Sequence, residues 1–145
     1  MKRSYDSTGI SMEGNYPVAP EGIYDLLIIN INDMKDGVQR KTKNGDDYIS
    51  VESEIQNVGE YTGIKVWHGV TIMEDRTRKG AGMAIHFIKT IGQPWEGKFD
   101  IDTDQWIGKT FRAKLNVTKD NKGRPKNEIA YLVSEDEDND SSIPF

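Results

Sequence analysis

Five side chains on the polar phase of three predicted strands could bind nucleic acid. The segments that contain them alternate polar and apolar residues, as half-buried strands do: YISVESEIQN, IKVWHGVTI and KTFRAKLNVTKD. The five side chains are Tyr48, Lys65, Trp67, Arg112 and Lys114. Aromatic rings facing solvent stack with nucleobases, at about 1–3 kcal/mol per base, and neighbouring cations hold the phosphates. The set therefore predicts binding of single-stranded nucleic acid, and the alternative is that the N-terminal segment or a partner subunit covers Trp67.

Two connections between predicted strands carry a surplus of basic residues. Residues 35–45 hold four basic residues and one acidic residue, and residues 119–126 have the same balance. We expect six of the basic side chains to reach phosphates: Arg40, Lys41, Lys43, Lys122, Arg124 and Lys126. Arg76, Arg78 and Lys79 precede the predicted helix and extend the same track. The loops therefore add an electrostatic component that would fall with rising salt.

The C-terminal segment EDEDNDSSIPF concentrates the net charge of the chain. Residues 135–140 contain five acidic residues, while the other 19 acidic residues equal the 19 basic ones, so the net charge of −5 lies in the tail. Such a run cannot bury apolar surface and is predicted to be disordered. We expect it to occupy the basic face when nucleic acid is absent. The tip, with Asp138, Asp140, Ile143, Pro144 and Phe145, is predicted to enter a pocket of a partner protein.

No pattern of catalytic or metal-binding residues is recognised. The chain has no cysteine, so disulfides and thiolate metal sites are excluded, and two isolated histidines do not make a zinc site. Asp100, Asp102 and Asp104 have the spacing of a calcium loop, but Gln105 and Phe111 stand where that loop needs glycine and glutamate. Helix capping is the expected role of these acids. His68 is expected as a hydrogen-bonded imidazole inside the barrel or beside a bulge at Gly69. We predict no enzyme activity, no metal and no cofactor.

The predicted elements follow the order strand, strand, strand, helix, strand, strand. This is the order of the OB-fold, a five-stranded Greek-key barrel, here mainly β with one helix between the third and fourth strands. The helix in KGAGMAIHFIKTIG has one apolar face that would close one end of the barrel. We divide the chain into an extended arm (1–20), the OB-fold domain (21–134) and a disordered acidic tail (135–145). The two basic connections flank the ligand face of such a barrel.

Length and hydropathy bear on membrane association and on the cellular location of the chain. A chain of 145 residues has room for one domain with arms, and no apolar run approaches the roughly 20 residues needed to span a bilayer. The N-terminus lacks the apolar core of a signal peptide. We therefore expect no membrane association and a cytoplasmic location.

Two parts of the sequence resemble single-stranded DNA-binding proteins. DNDSSIPF resembles the acidic C-terminal tip of the bacterial family, in which a run of Asp ends in Ile-Pro-Phe. The segments KTKNGDDYISVE, IKTIGQP and DTDQWIGKTFRAKL are more similar to the bacteriophage-encoded type. The resemblance implies binding through the barrel face without catalysis, a tip that recruits replication or recombination proteins, and possible homo-oligomers. For a phage-encoded chain the compartment would be the host cytoplasm.

The prediction from the sequence is sequence-independent binding and protection of single-stranded DNA during replication, recombination and repair. A second hypothesis is a protein-binding adaptor or structural virion protein on an OB-like barrel, with a tail that only solubilises. A third, a small nuclease, would require magnesium-dependent degradation of a substrate.

Overall fold

The computed structural model describes residues 1–6 and 17–133, together with the backbone of residues 143–144. Its elements, in chain order, are β1 (Gly22–Asn32), β2 (Met34–Lys35), β3 (Val38–Gln39), β4 (Asp47–Ile55), β5 (Lys65–Ile72), α1 (Ala81–Thr90), a 3-10 turn (Thr103–Trp106), β6 (Thr110–Lys119), β7 (Pro125–Val133) and β8 (Ile143–Pro144). None of the helices in this described part is long and apolar enough to cross a membrane.

The five long strands form a nearly closed antiparallel barrel. The hydrogen-bonded order is β5-β4-β1-β6-β7, and β5 and β7 approach each other to narrow the remaining gap. β1 pairs with β4 on one side and with β6 on the other, so the apolar run from Tyr24 to Ile31 is a central strand, as predicted. This order, with α1 between β5 and β6, confirms the expected OB-like fold.

The inward and outward phases of the strands largely follow the predicted alternation. Ile49, Val51 and Ile55 of β4 are buried, as are Val66 and Val70 of β5. On β6, burial continues through Phe111, Ala113 and Leu115. The alternation in KTFRAKLNVTKD predicts that Val117 also faces the core, but Val117 is 45% exposed, so that prediction is wrong. Beyond Leu115, β6 continues into the hairpin with β7, where Val117 pairs with Asn127 at the end of the core.

The helix α1 closes the barrel with the face that the sequence predicts. Its buried side chains are Ala84, Phe87 and Ile88, followed by Ile91 just after the helix. Gly92 (φ +78°) ends the helix, with its N–H donating to the carbonyl of Lys89 while the N–H of Gln93 donates to that of Ile88. These two bonds form a Schellman motif, which needs a left-handed residue at the position of Gly92.

The long connection between β1 and β4 contains a hairpin that sequence analysis missed. β2 and β3 pair through a turn at Asp36 (φ +53°) and Gly37 (φ +78°), a conformation that two-residue hairpin turns favour. The predicted turn at Asn44-Gly45 is present, with Gly45 at φ +86° and its N–H donating to the carbonyl of Thr42. The two turns shape this basic connection before β4 begins.

The arm and the tail are described only in part. Ala19, within the predicted arm, is buried against the barrel. In the tail, Asp138, Asp140 and Phe145 lie outside the described residues. The backbone of β8 pairs with Tyr131 and Leu132 at the outer edge of β7.

Candidate nucleic-acid interface

A groove of about 710 Å³ opens between the outer faces of β4 and β5 and the first half of β7. Five of the predicted binding residues lie along it: Tyr48, Lys65, Trp67, Arg124 and Lys126. The narrow gap between β5 and β7 in the barrel creates this groove, because the two strands approach without forming a continuous ladder. The structure thus brings both predicted rings and three predicted cations around one cavity.

Glu52 fixes the positions of Trp67 and Lys65. Trp67 and Glu52 are directly opposite in the β4–β5 ladder. The Trp67 Nε1–H donates to Glu52 Oε1 (3.1 Å), and the Lys65 ammonium lies 3.6 Å from Glu52 Oε2. The Trp67 side chain is nevertheless 42% exposed, so a large part of it is open to a ligand. One carboxylate therefore orients the exposed ring and partly neutralises the neighbouring cation.

Tyr48 lies over the backbone of Gly69, with Arg40 stacked on its ring. A side-chain carbon at Gly69 would lie only 2.6 Å from Tyr48 Cε2, so the ring can adopt this position only over glycine. The Arg40 guanidinium lies 5.0 Å from the ring centroid, a cation–π distance. The Tyr48 ring is therefore in contact with both Gly69 and Arg40. A base can therefore reach this platform by stacking on Arg40, or on Tyr48 after Arg40 moves.

The turn between β6 and β7 holds Arg124 at the rim of the groove. The Asp120 carboxylate accepts hydrogen bonds from the backbone N–H groups of Lys122 and Arg124, both at 2.9 Å, and from Arg124 Nε at 2.9 Å. The backbone hydrogen bond from Arg124 is the main reason why the pKa of Asp120 is lowered. Gly123 (φ +77°) completes the turn. Lys126 is exposed on the same rim, and it forms no ion pair with any residue in the described part of the chain.

One end of the groove is built by the segment that precedes β1. The buried Asn127 amide accepts from the Ala19 N–H (2.9 Å) and donates to the Ala19 carbonyl (2.9 Å). This two-bond contact fixes Ala19 against β7, and the preceding Pro17 and Val18 line the groove. The end of the predicted arm is therefore part of the wall of the groove.

His68 separates the groove from the hydrophobic core. Its imidazole packs edge-on against Phe87 (4.9 Å between centroids) and Phe111 (5.7 Å). Burial lowers the pKa of His68 to about 3, so the ring is neutral at pH 7. The β4–β5 pairing passes through Gly69 without a register shift, so the alternative of a bulge there is wrong and the interior position holds.

The structure places the other predicted residues away from the groove or in its flanking loops. Arg112 and Lys114 lie on the outer face of β1 and β6, where they pair with Asp25 (2.8 Å) and Glu21 (3.3 Å) of the β1 side. Neither lines the groove. Exposed loop positions are occupied by Lys41, which pairs with Asp47, and by Lys43 and Lys122. Arg78 is held by Asp46 at 2.7 Å, which ties the end of the β5–α1 connection to the loop before β4.

Sequence reasoning missed the residues that position the groove rather than face the ligand. Glu52, Gly69 and Asn127 were not proposed, although a glycine inside a strand often marks a close approach of another group. Glu52 and Asn127 had no comparable signal, because their roles depend on partners 15 and 108 residues away in the chain.

Metal binding finds no support in the described residues. They contain no group of three or more acidic, histidine or cysteine side chains that could hold an ion. Asp102 caps the 3-10 turn by accepting from the N–H of Asp104 (3.1 Å), the capping role expected for this acidic run.

Comparisons of the sequence with models of protein families and with curated proteins give no match. The fold and the groove are therefore the basis for any functional assignment.

Proposed function

We propose that the chain binds single-stranded DNA independently of sequence and protects it during replication, recombination and repair. The observation that carries the proposal is the groove, where Trp67 and the Arg40–Tyr48 stack stand among Lys65, Arg124 and Lys126. Rings among cations suit a strand whose bases are unstacked, because every base has a face to stack and every nucleotide a phosphate.

Recruitment of replication or recombination proteins by the C-terminal tip is the second part of the proposal. It is supported by the resemblance of DNDSSIPF to the tips of single-stranded DNA-binding proteins. In the structure the backbone of Ile143–Pro144 pairs with Tyr131 and Leu132, beyond the part of β7 that lines the groove. A partner that takes up the tip as a strand would have to replace this pairing. The proposal places these events in the cytoplasm, that of the host if the chain is phage-encoded.

A protein-binding adaptor or structural virion protein is the second candidate function. The observation in its favour is the outer edge of β7, which accepts the extended backbone of β8 and could accept another extended peptide in the same way. Such a protein would have no use for an exposed ring beside the groove cations. Binding of an oligonucleotide by the groove therefore separates the two candidates.

The test is a titration with oligo-dT, followed by tryptophan fluorescence. The variant Trp95→Phe leaves Trp67 and the buried Trp106 as the emitting residues, so quenching reports on the groove. We expect strong quenching, and an affinity that falls by about 0.7 log units per log unit of salt for each phosphate contacted. The matched control, Trp95→Phe with Trp67→Phe, should lose the quenching.

The truncated chain 1–134 should bind oligo-dT more tightly than the full chain, because it lacks the five acids that we expect to occupy the basic face. Unchanged affinity of this chain would contradict that role of the tail. Unchanged Trp67 emission at saturating oligonucleotide and low salt would contradict the proposed function and favour the adaptor.

A further inference from the structure

A second, smaller cavity lies at the end of β5, where the strand approaches the start of α1. It has a volume of about 270 Å³ and lies between the end of β5 and the start of α1, lined by Gly69, Val70, Thr71, Met73, Lys79, Gly80, Met83 and Ala84. Gly69 lines both this cavity and the groove, so the two are neighbours along β5. We propose that this cavity binds a nucleobase of the DNA strand that occupies the groove, an inference that rests on the proposed function.

The position of the cavity continues the line of the groove. Trp67, Gly69 and Thr71 follow one another on the outer face of β5. Alternate residues of a strand are about 7 Å apart, so Thr71 lies about 14 Å from Trp67 along β5. A DNA strand that passes Trp67 and the Tyr48 ring along this face therefore arrives at the cavity.

The lining of the cavity suits one planar, polarisable ring. A side-chain carbon at Gly80 would lie 3.6 Å from both the Met73 methyl carbon and the Met83 sulfur, so the two thioethers meet beside Gly80. Thioethers adapt to irregular shapes and make favourable contacts with aromatic rings, with sulfur about 5 Å from the ring. The volume is below the roughly 300–1,000 Å³ of sites for drug-sized ligands, which favours a single base over a larger group.

Charge and polarity at the rim agree with a nucleotide as the occupant. Lys79 is exposed and lines the cavity, where its ammonium can hold the phosphate attached to the bound base. Arg78 beside it is held by Asp46, whereas no ion pair holds Lys79 within the described part of the chain. The Thr71 hydroxyl supplies one donor and an acceptor to the edge of the base. A single hydroxyl distinguishes bases poorly, which is consistent with binding that is independent of sequence.

The test follows the methionine methyl groups by NMR in the full chain labelled at Met methyl carbons. Titration with oligo-dT should shift the signals of Met73 and Met83 over the same range of DNA concentration that quenches Trp67. An abasic oligomer of equal length carries the phosphates without bases, and it should leave the two signals in place. Signals of Met73 and Met83 are identified by Met→Leu substitution of each.

A pair of threonine variants makes the test independent of the methyl signals. Thr71→Ile adds bulk to the wall of the cavity on a strand that tolerates β-branched residues, and should weaken oligo-dT binding about three- to tenfold. Thr110→Ile, on the outer face of β6, is the matched control and should leave the affinity unchanged.

Quenching of Trp67 with no shift of Met73 or Met83, or with equal shifts for the abasic oligomer, would overturn the second site while leaving the proposed function intact. An absence of both quenching and shifts would instead contradict the proposed function itself.

Discussion

Two faces of the barrel carry outward cations, and among the described residues one of these faces borders the groove. On the outer face of β1 and β6, Arg112 and Lys114 each pair with a carboxylate, and neither lines the groove. In the groove, Lys65 shares Glu52 with the Trp67 ring, and the described part of the chain gives Lys126 no ion pair. The same alternation of residues thus yields a paired surface on one side of the barrel and a groove with the exposed Trp67 ring on the other. This difference between the two faces depends on the residues of the neighbouring strand, because the strands that carry the cations show the same alternation.

Among substitutions that distinguish the two faces, removal of the Trp67 ring should reduce DNA affinity most. Trp67→Ala should weaken oligo-dT binding by about 1–3 kcal/mol, roughly 5- to 150-fold, because one stacked base loses its platform. The measurement is anisotropy of a labelled oligonucleotide, which does not depend on tryptophan emission. Since the side chain is 42% exposed, the fold should be retained, and circular dichroism checks this.

The matched variant for the opposite face is the double substitution Arg112→Ala with Lys114→Ala. It should change affinity less than threefold, because both cations already have carboxylate partners. A loss as large as that of Trp67→Ala would mean that DNA also follows β6, and the distinction between the two faces would be wrong.

The two faces also differ in what lies beneath them, and this difference can be measured as a dependence of stability on pH. His68 backs the groove with its pKa lowered to about 3, whereas the unfolded chain has the ordinary value near 6.5. Below pH 6.5 the unfolded state takes up a proton that the folded state refuses, so stability is lost as pH falls from 6.5 towards 3. Between pH 7.5 and pH 5.0 this contributes a loss of about 2 kcal/mol.

His68→Phe keeps an aromatic ring beside Phe87 and Phe111 but removes the titration. Urea unfolding at pH 7.5 and 5.0 should show a pH-dependent loss about 2 kcal/mol smaller than in the parent chain. His86→Gln is the control, because His86 is only half-buried on α1, and it should change this difference much less. An identical pH dependence in His68→Phe and the parent would mean that the imidazole is protonated inside the fold.

The contrast between the faces also marks what sequence could predict. Alternation identified the strands, and hence the barrel, since a period of two places each side chain inside or outside whatever its partners are. It also found Trp67 and Tyr48, because large rings on an outward phase are unusual. Alternation could not distinguish the environment of Lys65 from that of Arg112, because each environment depends on which carboxylate lies opposite on the next strand. The predicted burial of Val117 was wrong for a related reason, because alternation does not indicate where along a strand the core ends.

The smallest expected change in DNA affinity comes from removing the charge of Glu52. This carboxylate pairs with a cation of the groove, as carboxylates pair with both cations on the outer face of β1 and β6. Glu52→Gln keeps an oxygen that can accept from Trp67 Nε1 but removes the charge that Lys65 now faces at 3.6 Å. An exposed ion pair of this kind contributes about 0.2–1 kcal/mol, so Lys65 becomes available to a phosphate and affinity should rise by up to about fivefold.

Salt provides the signature of this mechanism. One additional phosphate contact should steepen the dependence of log affinity on log salt by about 0.7, whereas a better-oriented Trp67 would raise affinity at every salt concentration equally. Glu54→Gln, on the same strand and also facing Lys65 in the ladder register, is the matched control for the loss of one negative charge. If Glu52→Gln and Glu54→Gln raise the affinity equally, the effect comes from net charge alone, and Glu52 has no special role in holding the groove cation.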